Sequence, residues 1–313
     1  MTKVILIVLD GLRYDAARSC LGYMEGLVQA GMAEVRKLTC ELPAMSRPLY
    51  ETLLTGRRPV EHGIVSNGVV RRSEGDNLFA RCRASGKVTA AAAYHWVSEL
   101  YVSCPFDRHR DRILVNGDGD IMHGVFYWDD HYPDSHLFAD ADWLISSHSP
   151  DFLLLHPMNV DDAGHRHGGD SVGYRNAARV QGDLLARHLP GWLALGYKVI
   201  VTADHGMGDD GNHAGPTPQE TQVCLPFIQR HVELVNPDVL VTLGNPSTQA
   251  LLGTREGIMR TRGKWIDYDT GTRTIRAVAT FHPAYLLRSP SYKRLSWQDL
   301  RAIAKVLQQT TAS

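Results

Sequence analysis

The chain has no run close to the roughly 18 apolar residues a membrane-spanning helix needs, although 43% of its 313 residues are hydrophobic. No membrane association is expected. The first apolar stretch, Val4 to Leu9, is too short for a signal-peptide core and has no small-residue cleavage site before Asp10. It reads as a first strand, and a cytoplasmic location is the expectation. Cysteine is scarce too: Cys20, Cys40, Cys82, Cys104 and Cys224 are odd in number and show no CxxC spacing. That excludes a disulfide framework and a complete cysteine-based metal cluster. Net charge is almost absent, at -1, but it is unevenly spread. From Val223 onward twelve Lys/Arg face six Asp/Glu, so this tail carries +6 and the preceding residues -7. A basic tail is compatible with nucleic-acid contact and equally with a solvated surface.

What the chain does have is a dense polar cluster after an apolar strand. In Lys198 to Gly215, KVIVTADHGMGDDGNHAG, the run Val199 to Val201 has the apolar, β-branched character of a buried parallel strand. Asp204, His205 and His213 follow, with Gly206, Gly208, Gly211 and Gly215 keeping the turn unhindered. Carboxylate and imidazole at the C-terminal end of a strand suit a divalent metal; a polar loop with solvated histidines is the alternative. VILIVLDG repeats the pattern, with Asp10 at the tip of the first strand and a helical stretch from Gly11 to about Ala30. Asp10 is placed either to ligate a metal or to cap that helix. Ser46 precedes Pro48 and an apolar helix, Leu49 to Leu54, so its hydroxyl serves either as nucleophile at a phosphate-binding helix end or as an N-cap. After a further strand, Lys87 to Ala93, come Tyr94, His95, Trp96 and Glu99, which read as pocket lining or as packing. Cys104 to His148 lacks clean periodicity and is expected to be an inserted cap. Phe152 to Leu155 is another apolar strand, and beyond it Asp161 and His165 stand four apart, on one face of a helix. Tyr174 to Leu195 reads as a long helix. Strands alternating with helices predict an α/β fold with a mostly parallel sheet.

Four segments carry a family resemblance. LLTGRRPVEHGI resembles the segment after the nucleophile in type I phosphodiesterases and nucleotide pyrophosphatases of the alkaline phosphatase superfamily, while DGL, DDAGH and TADHGM match its metal-binding motifs in order. The resemblance implies an alkaline phosphatase-like fold, Ser46 as nucleophile where many relatives have threonine, and Asn67 as a donor to a phosphate oxygen. It also implies two metal sets: Asp161, His165 and His213 in one; Asp10, Ser46, Asp204 and His205 in the other. Two divalent ions roughly 3.5 to 4 Å apart would neutralise the phosphoryl group and activate first the serine, then a water. Mixed Asp and His ligands favour Zn or Mn over Mg alone. The expected substrate is a phosphorylated small molecule or nucleotide. The rival within the superfamily, a phosphoglycerate-mutase-like transferase, needs a large inserted domain for which there is little room.

Near residue 220 the sequence changes character. CLPFIQRHVELVNPDVLVTLGNPSTQALLG, RGKW and HPAYLLRSPSYKRLSWQDL are similar to the C-terminal half of an iron-sulfur uracil-DNA glycosylase. The expected division is 1–222 for a phosphodiesterase core and 223–313 for the glycosylase-like half. The resemblance implies DNA contact by His282, Pro283, Leu286, Leu287 and Arg288, an apolar wedge beside basic groups, with Lys293 and Arg294 on phosphates. A GExPG-like uracil segment is missing, and only Cys224 matches one of the four cluster cysteines, so no complete iron-sulfur cluster or glycosylase site is expected. A DNA-binding module is the alternative function. Pro226 to Val235 can form an amphipathic helix and Val239 to Leu243 a buried strand. The tail is therefore expected to pack on the core, its strand either extending the sheet or starting a separate layer. Resistance to proteolysis between Gln219 and Asn236, with one cooperative melt, would support integration.

Overall fold

A computed structural model describes residues 3–224, 238–244, 248, 252, 254, 256–269, 273–282, 285–286 and 289–310. It divides into two compact units, Met1–Pro226 and Phe227–Ser313. In the first the elements follow one another as β1 (Lys3–Val8), α1 (Tyr14–Cys20), α2 (Gly22–Gln29), β2 (Lys37–Thr39), α3 (Ser46–Thr55), α4 (Pro59–His62), α5 (Leu78–Ala84), β3 (Thr89–Tyr94), α6 (His95–Tyr101), β4 (Ile113–Leu114), β5 (His123–Tyr127), α7 (Asp134–His148), β6 (Phe152–Leu155), α8 (Asn159–His167), α9 (Val172–Ala194), β7 (Tyr197–Thr202), α10 (Pro218–Thr221) and β8 (Gln222–Cys224). Six strands form one sheet in the order β4-β5-β3-β6-β1-β7. All its pairings are parallel except that of β4 with β5.

The apolar strands predicted from sequence form the middle of this sheet. Ile5, Ile7, Leu153 and Leu155 are fully covered by helices, each contributing about 1.5–3 kcal/mol of apolar burial. β3 reads TAAAAY and is buried throughout, because its small side chains let helices approach both faces. Since every long strand runs the same way, the tips of β1, β6 and β7 deliver Asp10, His156 and Asp204 to one edge, where open α/β sheets bind their ligands.

Two expectations need correction. Cys104 to His148 is no inserted cap: it contains β5, paired in parallel with β3, and α7, which packs Leu137, Phe138, Ala141 and Leu144 into the core. Its periodicity was hidden because DSHLFADADWLISSH mixes acids and alanines into the buried face and carries only a weak apolar stripe. The stretch to Ala30 is likewise two helices, broken at Leu21.

β8, at the junction of the two sequence resemblances, pairs antiparallel with β2 in a two-stranded sheet, and β7 is an edge of the large sheet among the described residues. In the second unit β9 (Val239–Leu243) is a strand, as its composition implies. It lies in a separate three-stranded sheet, β10-β11-β9, with β10 (Trp265–Asp269) and β11 (Thr274–Thr280), and does not extend the large one. Two helices, α11 (Ile258–Thr261) and α12 (Lys293–Thr310), with a short 3-10 helix at Pro290–Tyr292 before the latter, complete the described elements. The helix proposed over 226–235 lies outside the described residues. No helix among the described residues is long and apolar enough to cross a membrane.

Candidate metal and nucleophile site

Asp10 leaves β1 fully buried and does not cap α1, whose N-cap is Arg13. Its Oδ2 lies 2.8 Å from His156 Nε2, and its Oδ1 accepts the Ser46 hydroxyl at 3.4 Å. Ser46 opens α3, but the N-cap is Met45 and no side chain caps that end. The serine hydroxyl instead faces Asp10 and the Nε2 of His205, 3.1 Å away. For both residues the helix-cap alternative is thus displaced.

Asp161 and His165 meet on one face of α8, with 3.2 Å between carboxylate and Nε2. His213 Nε2 lies 3.2 Å from His165 Nε2 and 3.7 Å from Asp161 Oδ1, and its ring stacks on His205 at 3.9 Å between centroids. Asp10, Asp204 and His205 form one compact donor group, and Asp161, His205 and His213 another. His205 stands in both, between the two sets that the resemblance implied, while His165 adjoins the second group through Asp161 and His213.

These donors fit divalent cations. Each of the three histidines sets its Nδ1 against a backbone carbonyl: His165 on Gly211 (2.8 Å), His205 on Gly206 (2.7 Å) and His213 on Ala44 (2.7 Å). With Nδ1–H so engaged, every Nε2 faces inward, the usual outer-shell arrangement of metal-binding histidines, and its lone pair is free for an ion once any proton it holds is displaced. Asp161 Oδ1 and Asp204 Oδ2 are buried without a hydrogen-bond partner, which is costly unless a cation lies beside each of them.

The electrostatics agree. Burial, then Asp204 and Asp161, holds the Asp10 carboxyl well above its usual range, and Asp204 is raised chiefly by burial. For Asp161 burial works upward but is outweighed by the hydrogen bond and charge of His165 with the neighbouring histidines, and its carboxyl is lowered. His165 is pushed up to about 9 by Asp161, while burial and His205 depress His213 to about 4.

Asn67 lies at the head of α3, where its Oδ1 accepts the Arg47 N–H at 3.0 Å, leaving its NH2 to donate elsewhere. Glu99 and Trp96 are not open lining: Glu99 is buried in a 2.5 Å ion pair with Arg47, whose guanidinium lies over the Trp96 ring. His156, missed in the sequence, is fully buried between Asp10 and the Tyr50 ring, and burial depresses it to about 3. Its signal was its place, one residue beyond β6, matching Asp10 and Asp204 beyond β1 and β7.

Gly11 fixes how closely β1 and α8 approach. Its φ is +69°, and a Cβ there would stand 2.6 Å from Asp161 Oδ1 and 2.9 Å from Asp161 Cα. Gly11→Ala is expected to lower stability by about 1–3 kcal/mol and to weaken metal binding by displacing Asp161. A thermal melt with and without Zn checks both.

In the second unit His282 is exposed beyond β11, Leu286 is half-buried, and Lys293 and Arg294 are exposed at the start of α12. Pro283, Leu287 and Arg288 lie outside the described residues.

Comparisons with known proteins match both parts of the chain, with an overlap over residues 184–217. The family profile for type I phosphodiesterase / nucleotide pyrophosphatase matches residues 4–217, and that of the uracil DNA glycosylase superfamily matches 184–301. The chain is similar to GPI ethanolamine phosphate transferase 2 of Candida albicans, with 24% identity over 246 residues, 72% of this chain and 26% of that protein. Its C-terminal part is similar to the type-4 uracil-DNA glycosylase of Thermotoga maritima, with 37% identity over 92 residues, 28% of this chain and 46% of the glycosylase. The chain thus spans about a quarter of the first relative and under half of the second. Among solved structures, murine ectonucleotide pyrophosphatase / phosphodiesterase 5 in complex with AMP aligns with a TM-score of 0.51 at 19% identity, covering 66% of this chain and 58% of that one. The human counterpart gives 0.50 at 19% identity over 66% and 57%. At such identity the likeness shows the fold, a mostly parallel alkaline phosphatase-like sheet flanked by helices. With more than half of its residues inside the first profile, the chain belongs to the type I phosphodiesterase / nucleotide pyrophosphatase family, joined to a segment similar to uracil-DNA glycosylases.

Proposed function

We propose that the chain hydrolyses a phosphate ester or phosphodiester, nucleotide-like in character, with Ser46 as nucleophile. The observation that carries this reading is that the Ser46 hydroxyl lies against Asp10 and His205, and that His205 belongs to both donor groups, in which Asp161 Oδ1 and Asp204 Oδ2 have no hydrogen-bond partner. Asp10, Asp204 and His205 would hold one divalent ion, and Asp161, His165 and His213 a second, Zn or Mn suiting the mixed ligands. Ions bound there would supply charge neutralisation for the phosphoryl oxygens and favour the ionised form of an attacking hydroxyl. Ser46 Oγ forms the new bond to phosphorus as the bond to the leaving alcohol breaks. Water then cleaves the phosphoserine and restores the hydroxyl. Asn67 donates from its NH2 to a non-bridging oxygen, where charge grows. Similarity to a GPI ethanolamine phosphate transferase leaves transfer to an acceptor other than water as the competing outcome. The test is release of p-nitrophenol from bis(p-nitrophenyl) phosphate with Zn or Mn. No release from it or from the monoester, or equal release by Ser46→Ala, overturns the reading.

The similarity of the C-terminal part to uracil-DNA glycosylases supports a second activity, DNA contact by that part. The 37% identity to a type-4 glycosylase favours it. Lys293 and Arg294, with Arg288 and His282, are assigned to phosphate and groove contact. The full chain is expected to bind a short oligonucleotide at low salt and to lose affinity about tenfold or more between 50 and 200 mM salt, through counterion release. Fluorescence anisotropy checks this, and an absence of binding at low salt removes the assignment.

A further inference from the structure

Beyond the nucleophile, toward the β4 edge of the sheet, an open depression of about 500 Å³ is lined by Arg108, His109, Arg110, Arg112, Ile113 and Trp128. We propose that it binds a second phosphate on the non-reacting arm of the substrate, which rests on the phosphoester reading above.

Three guanidinium groups within five residues repel one another unless anions neutralise them. Asp111 does so for Arg110, at 2.6 Å. Arg108 and Arg112 form no ion pair among the described residues, and both are exposed. Arg112 lies over the Trp128 ring, 5.6 Å from its centroid, and hydrogen-bonds the side chain of Tyr132, whose hydroxyl donates to Asp140 at 2.9 Å; Asp140 feels its charge without forming an ion pair with it. An anion entering the depression thus meets two guanidinium groups without carboxylate competitors in contact, the geometry that phosphate recognition favours.

The loop is held in place before any ligand arrives. His109 N–H donates to Asp107 Oδ1 at 2.8 Å, and Asp107 N–H to Asp111 Oδ2 at 2.8 Å, which closes the turn on itself. The Arg112 carbonyl accepts the Phe126 N–H at 2.7 Å, fixing the far end of the loop to β5. At its near end Phe106 N–H donates to Glu99 Oε1 at 3.2 Å, and the other oxygen of Glu99 pairs with Arg47, the neighbour of Ser46. The cationic loop and the nucleophile's helix therefore share one buried carboxylate.

The reach is set by the sheet. Trp128 follows β5 and Asp10 follows β1, both at the C-terminal edge, with β3 and β6 between them. Three strand spacings separate them, roughly 14 Å. That exceeds the span of a simple phosphodiester and suits a substrate whose second phosphate is carried on an extended arm.

The test uses p-nitrophenyl phosphodiesters whose second ester is a straight alkyl arm of about that length, ending in phosphate or in hydroxyl. On the wild-type chain the terminal phosphate should lower KM about tenfold relative to the hydroxyl, the effect of one or two charge-assisted contacts. In the Arg108→Gln/Arg112→Gln variant the two arms should become equal, while bis(p-nitrophenyl) phosphate is cleaved as by wild type. A wild-type preference that is absent, or that survives in the variant, overturns the subsite and leaves the hydrolase reading intact. If the wild type cleaves none of these esters, the hydrolase reading fails by itself. Calorimetric binding of the alkyl bisphosphate against the alkyl monophosphate then decides the subsite: a preference lost in the variant supports it, and equal binding overturns it.

Discussion

Ser46→Ala is expected to lower phosphodiester turnover by about 10³–10⁵-fold, the loss seen when a covalent nucleophile is removed and only binding and electrostatics remain. The melting temperature should stay within about 2 °C of wild type, because a substitution that disturbs no packing or cap is nearly neutral. Ser46 is the first residue of α3, yet its hydroxyl caps no backbone group, and alanine is at least as good a helix former. The hydroxyl's neighbours are Asp10 and His205, so its removal takes away a reacting atom and leaves the surrounding buried groups in place. The measurement is p-nitrophenol release under saturating metal, beside a melt and a metal titration on the same sample. Unchanged metal affinity with lost turnover assigns Ser46 to bond making. Loss of both assigns it to holding the ion, and unchanged turnover sinks its role as nucleophile.

Much of this site could be read in the chain because strand tips leave a visible mark. Continuous apolar runs ending in Asp10 or Asp204 announce a buried parallel strand and a polar group at its C-terminal edge, whatever the rest of the fold does. Asp161 and His165 were visible through the period of one helical turn. His156 was not: it follows FLLL with no carboxylate, histidine or cysteine three or four residues away, and a lone histidine beside a proline carries no periodic signal. β5 escaped for a related reason. HGVFY is short, and the glycine and histidine dilute the apolar run that would mark it, so only its pairing with β3 reveals it as a sheet strand. The antiparallel pairing of β2 with β8 depends on contact between residues 185 apart, as in Lys37 with Gln222, and no local pattern encodes it.

Adding Zn or Mn to metal-stripped chain is expected to raise its melting temperature by several degrees and to restore activity that a chelator removes. Ligand binding to the folded state stabilises it by mass action, about 2.7 kcal/mol at a hundredfold excess over Kd. Asp10, Asp161 and Asp204 share a buried pocket, and no lysine or arginine is among the groups that shift them. The pH dependence has a definite sign. The folded carboxyl of Asp10 titrates above its unfolded value, so the metal-free folded state holds a proton that the unfolded chain has released, and its stability falls as pH rises through that interval. His165, raised to about 9, likewise retains a proton near neutrality and gives up the stability of its pairing with Asp161 as pH rises through that value. A cation must displace both protons, so its binding strengthens with pH and the metal-induced rise in melting temperature should be larger at pH 8 than at pH 5.5. Asp204→Asn removes a charge at the Asp10–Asp204–His205 group while keeping nearly the same shape. It should lift the metal-free melting temperature slightly, by relieving repulsion with Asp10, and abolish most of the metal-induced increment. Differential scanning fluorimetry across pH, with and without metal, reads all four quantities. A melt indifferent to Zn and Mn at every pH, or an Asp204→Asn chain stabilised by them as fully as wild type, would show that these acids are held together for some purpose other than binding a cation.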